Sequence, residues 1–158
     1  MMGNWRDKYF KYVNWDEDID KPILRAVKAM NRIPNIITSN SCSGHNTKYY
    51  FDWNGYILFV NTVPNTIPTW FSKVSKSVQL RCSRRNLLYG YVEFKYWGQR
   101  KKEAYDEPIG DRWSLIIDSR SDTNCFNKNH YKILDVLGEV LEEIAKNNGS
   151  NIKEMGRG

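Results

Sequence analysis

Ile36-Ile37-Thr38-Ser39-Asn40-Ser41-Cys42-Ser43-Gly44-His45 joins three β-branched residues to a run of small hydrogen-bonding side chains. Ile36, Ile37 and Thr38 suit the start of a short strand, because β-branched side chains pack well on a pleated surface. Beyond them there is too little apolar surface for a core element. Hydroxyls, a thiol, a glycine and an imidazole fall within one loop, and polar loops are where binding residues concentrate. The stretch therefore reads as a strand that delivers a polar loop, with the chemistry placed at the strand's end.

Upstream, Ile19, Ile23, Ala26, Val27 and Met30 recur at a helical period and predict a helix over about 19–32. Asp18 or Asp20 is placed to cap it, Pro22 suits its first turn and Pro34 stops it. The first seventeen residues, with Trp5, Tyr9, Phe10, Tyr12 and Trp15, predict an aromatic segment docked on the domain. Downstream, Asn54-Gly55 lies between 48–53 and 56–61, which predicts a β-hairpin closed by a type I′ turn. Trp70, Phe71, Val74 and Val78 predict a short helix leading into a strand-like 78–82.

Residues 87–97 read as a long strand with Leu88, Val92, Phe94 and Tyr96 on one face and Tyr89, Tyr91, Glu93, Lys95 and Trp97 on the other. Residues 98–112 read as a mobile loop, 113–118 as a further strand, and 130–146 as a helix with a buried stripe of Leu134, Leu137, Val140, Leu141 and Ile144. The tail from Asn147 reads as flexible. This order predicts one compact α/β domain of the α+β kind, with two main helices on a mixed, mostly antiparallel sheet.

A chain of 158 residues is long enough for one buried core. Its formal charge of +6 favours an anionic partner, a nucleotide or nucleic acid rather than a membrane, since no apolar run is long enough for a span. Cys42, Cys82 and Cys125 are odd in number and widely spaced, and no apolar N-terminal stretch follows a secretion signal, so a cytoplasmic, reduced protein is expected. Aromatic residues make up 14% of the chain, more than a small core needs, so some rings are expected on a binding surface. Association into a homo-oligomer is compatible with these features.

Asp16-Glu17-Asp18-Ile19-Asp20, a helix ending in Met30-Asn31, and then Thr38 to Gly44 together resemble the N-terminal signature of the tRNA wybutosine-synthesizing methyltransferases. That family has an acidic residue before a helix, an Asn near its end and a Thr-Thr-Ser-Ser-Cys-Ser-Gly-Arg motif. The likeness covers about residues 15 to 61, and His45 stands where the family has Arg. The resemblance implies a fold distinct from the usual Rossmann methyltransferase and S-adenosylmethionine as cofactor. It further implies methyl transfer to a guanosine-derived tRNA base, with Asp16, Ser41, Cys42, Ser43 and Gly44 in the pocket. The alternative is a non-catalytic protein that sequesters a cyclic or other nucleotide immune signal, as some phage-encoded proteins do.

The residues alone lead to a similar place. Successive N–H groups around a small-residue turn can form an anion-binding nest, with hydroxyls from Ser41 and Ser43 and a left-handed Gly44. The plain alternative is a tight connection whose serines satisfy their own backbone. A Cys42–His45 nucleophile pair lacks an adjoining third residue, and the spacing of Cys42, His45, Cys82, Cys125 and His130 does not form the compact pairs of a zinc site, so no metal is expected. From Lys73 to Lys102 there are nine Lys or Arg against one acid, interleaved with Tyr89, Tyr91, Tyr96 and Trp97. Cations attract phosphates and rings stack on bases, so Arg81, Arg84 and Arg85 become candidate phosphate contacts and Tyr89, Tyr91 and Trp97 candidate stacking partners. A solvated basic edge strand reads the same way. Arg112 and Arg120, beside predicted strand ends, could clamp a phosphate, with Asp118 accepting from a ribose or base, though such a run also serves to cap a helix.

Overall fold

The computed structural model describes residues 15, 17–102, 108–119 and 125–155 of the chain. Asp16, Arg120 and the aromatic segment over 1–14 lie outside the described residues. Four strands, β1 (Ile36–Cys42), β2 (Gly55–Asn61), β3 (Tyr91–Arg100) and β4 (Gly110–Asp118), form one sheet in the order β1-β2-β4-β3. Every pairing is antiparallel, so the sheet is not mixed. Three helices accompany it among the described residues: α1 (Lys21–Met30), α2 (Phe71–Arg84) and α3 (His130–Met155). The chain is a single α+β domain.

Directly paired residues share a face, and this fixes which side meets the helices. Ile57, Leu115 and Phe94 stand in one row, Phe59, Trp113 and Tyr96 in the next, and all but Tyr96 belong to or pack against the core cluster with α1, α2 and α3. Phe71 stacks on Phe94 with ring centroids 3.9 Å apart, while Phe59, Trp70 and Trp113 meet this pair edge-on. Much of the surplus aromatic content is thus consumed by packing. Offset and T-shaped pairs add to area burial.

Four expected elements take a different form. The Asn54-Gly55 pair closes no tight hairpin: β2 pairs with β1 across residues 43–54, and Tyr50–Asp52 forms a 3-10 turn. This loop folds on itself because the Trp53 indole donates to the Thr47 carbonyl at 2.7 Å and the Thr47 hydroxyl donates to Asp52 at 2.8 Å. Gly55 is needed for closeness instead, since a Cβ there would lie 2.8 Å from Ile117 and 3.0 Å from Leu134. Residues 78–82 continue α2, because Phe71, Val74, Val78 and Cys82 repeat at the helical period and are buried while Leu80 is exposed. Strand pairing reaches Arg100 and Gly110, well into the stretch read as a loop. The helix read as ending near Lys146 runs on to Met155, with no Pro to interrupt it.

α1 and α3 run parallel. Lys21 and Pro22 share a groove with Tyr131 and Lys132, and one turn on, Arg25 donates to Asp135 at 3.0 Å and to Glu142 at 2.8 and 2.9 Å. The arginine stem crosses α3 at Gly138, where an added Cβ would sit 2.9 Å from Arg25 Cγ. α2 runs antiparallel to α3: Trp70 lies near Asn148, whereas Arg81 and Arg85 reach Glu139.

Asn31 locks α1 to β1. Its Oδ1 accepts from the Thr38 N–H at 2.9 Å, and its Nδ2 donates to Thr38 Oγ1 at 2.8 Å and to the Val27 carbonyl at 3.0 Å, all in a buried setting. The Ser39 bulge follows at once, since the β1–β2 register shifts between Thr38 and Asn40. Asn31→Ala leaves the Thr38 N–H and hydroxyl buried without partners and is expected to cost about 2 to 3 kcal/mol of stability in chemical denaturation. A loss below about 1 kcal/mol would show that the lock carries little.

Candidate anion-binding site

The polar loop leaves β1 at Cys42. Ser43 donates its N–H to Asp20 Oδ2 at 3.1 Å, Gly44 donates to Cys42 Sγ at 3.5 Å, and His45 donates to the Asp52 carbonyl at 2.7 Å. The three N–H groups expected to face an external anion are therefore taken up within the chain, one of them by a carboxylate. Gly44 has the anticipated left-handed conformation, φ 85°, and a Cβ on it would fall 2.4 Å from the Trp53 carbonyl. Ser43 is buried, and its hydroxyl has no hydrogen-bond partner among the described residues. Ser41 lines a cleft of about 140 Å³ with Trp15, Asp18 and Ser39, which is below the usual volume of a nucleotide pocket.

His130, at the start of α3, is fully buried and spans two elements. Its Nε2 donates to the Ser43 carbonyl at 2.6 Å, and its Nδ1 accepts from the Ser119 hydroxyl at 2.5 Å. The Ser43 carbonyl requires a proton on Nε2, and burial, which disfavours the charged ring, leaves Nδ1 as the acceptor of the neutral tautomer. Tyr131 adds a hydrogen bond from its hydroxyl to the Gly44 carbonyl at 3.1 Å. Burial pushes the His130 imidazole below its ordinary value of 6.5, with the Ser43 carbonyl and Asp118 acting in the opposite direction. A base whose folded value is depressed binds fewer protons in the native state than in the unfolded one. Its stabilising contribution is complete above the unfolded value and is lost as pH falls through the folded value. Stability measured by denaturation should decline as pH drops below about 6.5, before the carboxylates titrate, and His130→Ala should remove this slope while destabilising the domain by about 2 to 4 kcal/mol. An unchanged slope in the variant would assign the titration elsewhere.

The basic residues separate into distinct groups. Arg81 is paired with Glu139 and Glu143 at 3.2 and 2.5 Å, and Arg85 with Glu139 at 2.7 Å. The Arg85 guanidinium, followed by burial in the opposite direction, dominates Glu139 and holds its carboxyl below the ordinary range. Arg84 is exposed at the end of α2. Tyr89 is half-buried beside Ser75, so burial raises its phenol, and Tyr91 is exposed at the start of β3. Trp97 lies at the β3 bulge, under the Lys95 ammonium at 4.3 Å, with its indole donating to Ser114 at 2.9 Å. Through the register, Trp97 and Arg112 stand level with Val60 and Ile37, whereas the polar loop follows Cys42 and Tyr56 at the other end of β1 and β2. One shared pocket for the loop and Trp97 is therefore not formed.

A different set does converge. A groove of about 610 Å³ lies between the first turns of α1 and α3, lined by Lys21, Arg25, Arg85, Leu87, Tyr131 and Lys132, with Asp135 as its acid. Because α1 and α3 are parallel, two helix N-termini with positive dipole character open at this edge, although Ile23 already donates to the Asp20 carbonyl and His130 to the Asn127 carbonyl. The Tyr131 hydroxyl links the groove to the polar loop at Gly44. Of the residues singled out from sequence, Arg85 is in it and Gly44 touches it; Lys21, Tyr131 and Lys132 were missed. Nothing in their spacing marks them, since they meet only through the parallel packing of helices 110 positions apart.

No family model matches the chain, and no curated protein or solved structure was found to match it. No helix among the described residues is long and apolar enough to cross a membrane.

Proposed function

We propose that the protein binds a nucleotide or the phosphorylated end of a nucleic acid in the groove between α1 and α3. The observation that carries this reading is the convergence of two helix N-termini with Lys21, Lys132, Arg25 and Arg85. Arg25 and Arg85 are committed to carboxylates, whereas Lys21 and Lys132, both exposed, hold no ion pair among the described residues and are the cations placed to meet phosphate. Tyr131, exposed on the same wall, offers a ring face to a base or sugar. The volume suits a mononucleotide or dinucleotide. Sequestration of such a ligand needs no further chemistry.

Methyl transfer from S-adenosylmethionine is the second reading. It rests on the family-like stretch, in which Asn31 bonds Thr38 at the end of α1 and Asp20 bonds Ser43 just beyond β1.

Calorimetry with S-adenosylmethionine, tRNA and a panel of linear and cyclic nucleotides separates the two. Lys21→Glu with Lys132→Glu is expected to weaken nucleotide binding about tenfold or more and to flatten its salt dependence, while Arg84→Ala leaves it unchanged. Affinity unaffected by the double variant would remove the groove as the site. Binding of S-adenosylmethionine with a methylated product would move the conclusion to the second reading.

A further inference from the structure

We propose that Asp20, Cys42 and His45 form an open zinc site at the mouth of the polar loop. The three side chains come from three places: the residue before α1, the last residue of β1, and the loop beyond Gly44. One donor atom from each lies within 4.8 Å of the others, and His45 Nε2 is 3.5 Å from Asp20 Oδ2. Donors around a tetrahedral zinc stand about 3.5 Å apart, given bond lengths of about 2.0 Å to nitrogen and oxygen and about 2.3 Å to sulfur. The set therefore needs only small side-chain rotations to close on an ion.

The surroundings favour this use. The Asp20 carboxylate is oriented by the Ser43 N–H on Oδ2, the oxygen that lies 3.5 Å from His45 Nε2, and the backbone of His45 is held by the Asp52 carbonyl. Gly44 is what lets the chain reverse between Cys42 and His45, because only a residue without Cβ fits against Trp53 and Asn54. Ligand orientation by such outer contacts is a regular feature of metal sites. Tyr56, opposite Cys42 across the β1–β2 pair, walls the site. Burial raises its phenol above the ordinary value, with Cys42 and Asp20 adding to the effect.

The donor set selects the metal. One thiolate, one imidazole and one carboxylate suit a borderline ion such as zinc, whereas magnesium and calcium require oxygen alone. The side chains of His45 and Asp20 are 55% and 40% exposed, so the ion would keep a fourth position for water or an added ligand instead of being enclosed. On binding, the Cys42 thiol gives its proton to solvent and the imidazole binds through a lone pair as the neutral base. The short spacing Cys42-x2-His45 is one half of the site; the other half is an acid 22 positions before the cysteine that sequence order does not connect to it.

Cobalt substitution reads the thiolate directly. Titrating the reduced, full-length protein with Co²⁺ is expected to give a thiolate-to-cobalt charge-transfer band that saturates at one equivalent and is displaced by Zn²⁺. Cys42→Ser should abolish the band. His45→Ala and Asp20→Asn, the latter keeping an acceptor for the Ser43 N–H, should each weaken cobalt binding at least about tenfold. Cys125→Ser, which removes the exposed thiol, should change nothing. Circular dichroism of each variant confirms folding, and Cys42→Ala replaces any serine variant that does not fold. The proposal is overturned by the absence of a charge-transfer band, by a band that survives loss of Cys42 or disappears with Cys125, or by affinity indifferent to either His45→Ala or Asp20→Asn. None of these variants alters Lys21 or Lys132, so failure here is distinct from failure of the anion groove.

Discussion

The hydrogen-bonded imidazole of His130 is the contact on which the arrangement of the polar end depends. A buried neutral ring that donates to Ser43 and accepts from Ser119 ties the end of β1, the segment after β4 and the first turn of α3 to one rigid plane. Both ring nitrogens are used, so rotation in either direction would leave a buried carbonyl or hydroxyl unpaired. Asn127 extends the brace by donating to the Ser119 and Leu88 carbonyls while its Oδ1 accepts from the Asn129 N–H. With α3 anchored at its start, Tyr131 and Lys132 are carried to the edge where α1 begins.

Parallel packing of α1 on α3 follows from that anchoring and creates an electrostatic problem. Aligned helix dipoles side by side repel, and both positive ends are placed together. Asp20 answers part of this, with its carboxylate at the start of α1, although it bonds the Ser43 N–H and makes no side-chain cap on the helix. α2 answers another part by running the opposite way, its C-terminal negative end receiving Arg81, Arg84 and Arg85. Lys21 and Lys132 line the groove beside these two N-termini, with Asp135 on the same wall.

Periodicity showed the core well and the site poorly, for physical reasons that can be traced to particular residues. Ile23, Ala26, Val27 and Met30 predicted α1, and Leu134, Leu137, Leu141 and Ile144 predicted α3, because a buried stripe leaves its period in the chain. Val92, Phe94 and Tyr96 were placed on the correct face of β3 for the same reason. The alternation Val78-Gln79-Leu80-Arg81-Cys82 misled at α2, where Leu80 sits exposed and only the longer repeat through Phe71, Val74 and Cys82 identifies a helix. Asn54-Gly55 misled because Gly55 serves a packing contact with Ile117 and Leu134, a demand that is indistinguishable in sequence from the need for a positive φ. The polar loop itself was legible as a site of hydrogen bonding, but its partners Asp20 and His130 lie 23 and 87 positions from Ser43.

The division of labour among the cations explains why Arg81 and Arg85, two members of the basic block, are drawn into ion pairs with α3. A guanidinium presents a planar fork that fits a carboxylate with two bonds, so arginines facing an acidic helix become structural. Arg25 does this with Glu142, and Arg85 does it with Glu139, both on α3. Lysine is a point charge on a flexible stem that gains less from such geometry. The lysines flanking these forks therefore retain their charge toward solvent, while the arginines hold the helices that aim them. Removing the arginine pairs would loosen the packing of α1 and α2 against α3, whereas Lys21 and Lys132 hold none of these pairs and matter only to the proposed binding. On the proposed reading, structural charge and binding charge are thus separated by side-chain type within a single groove.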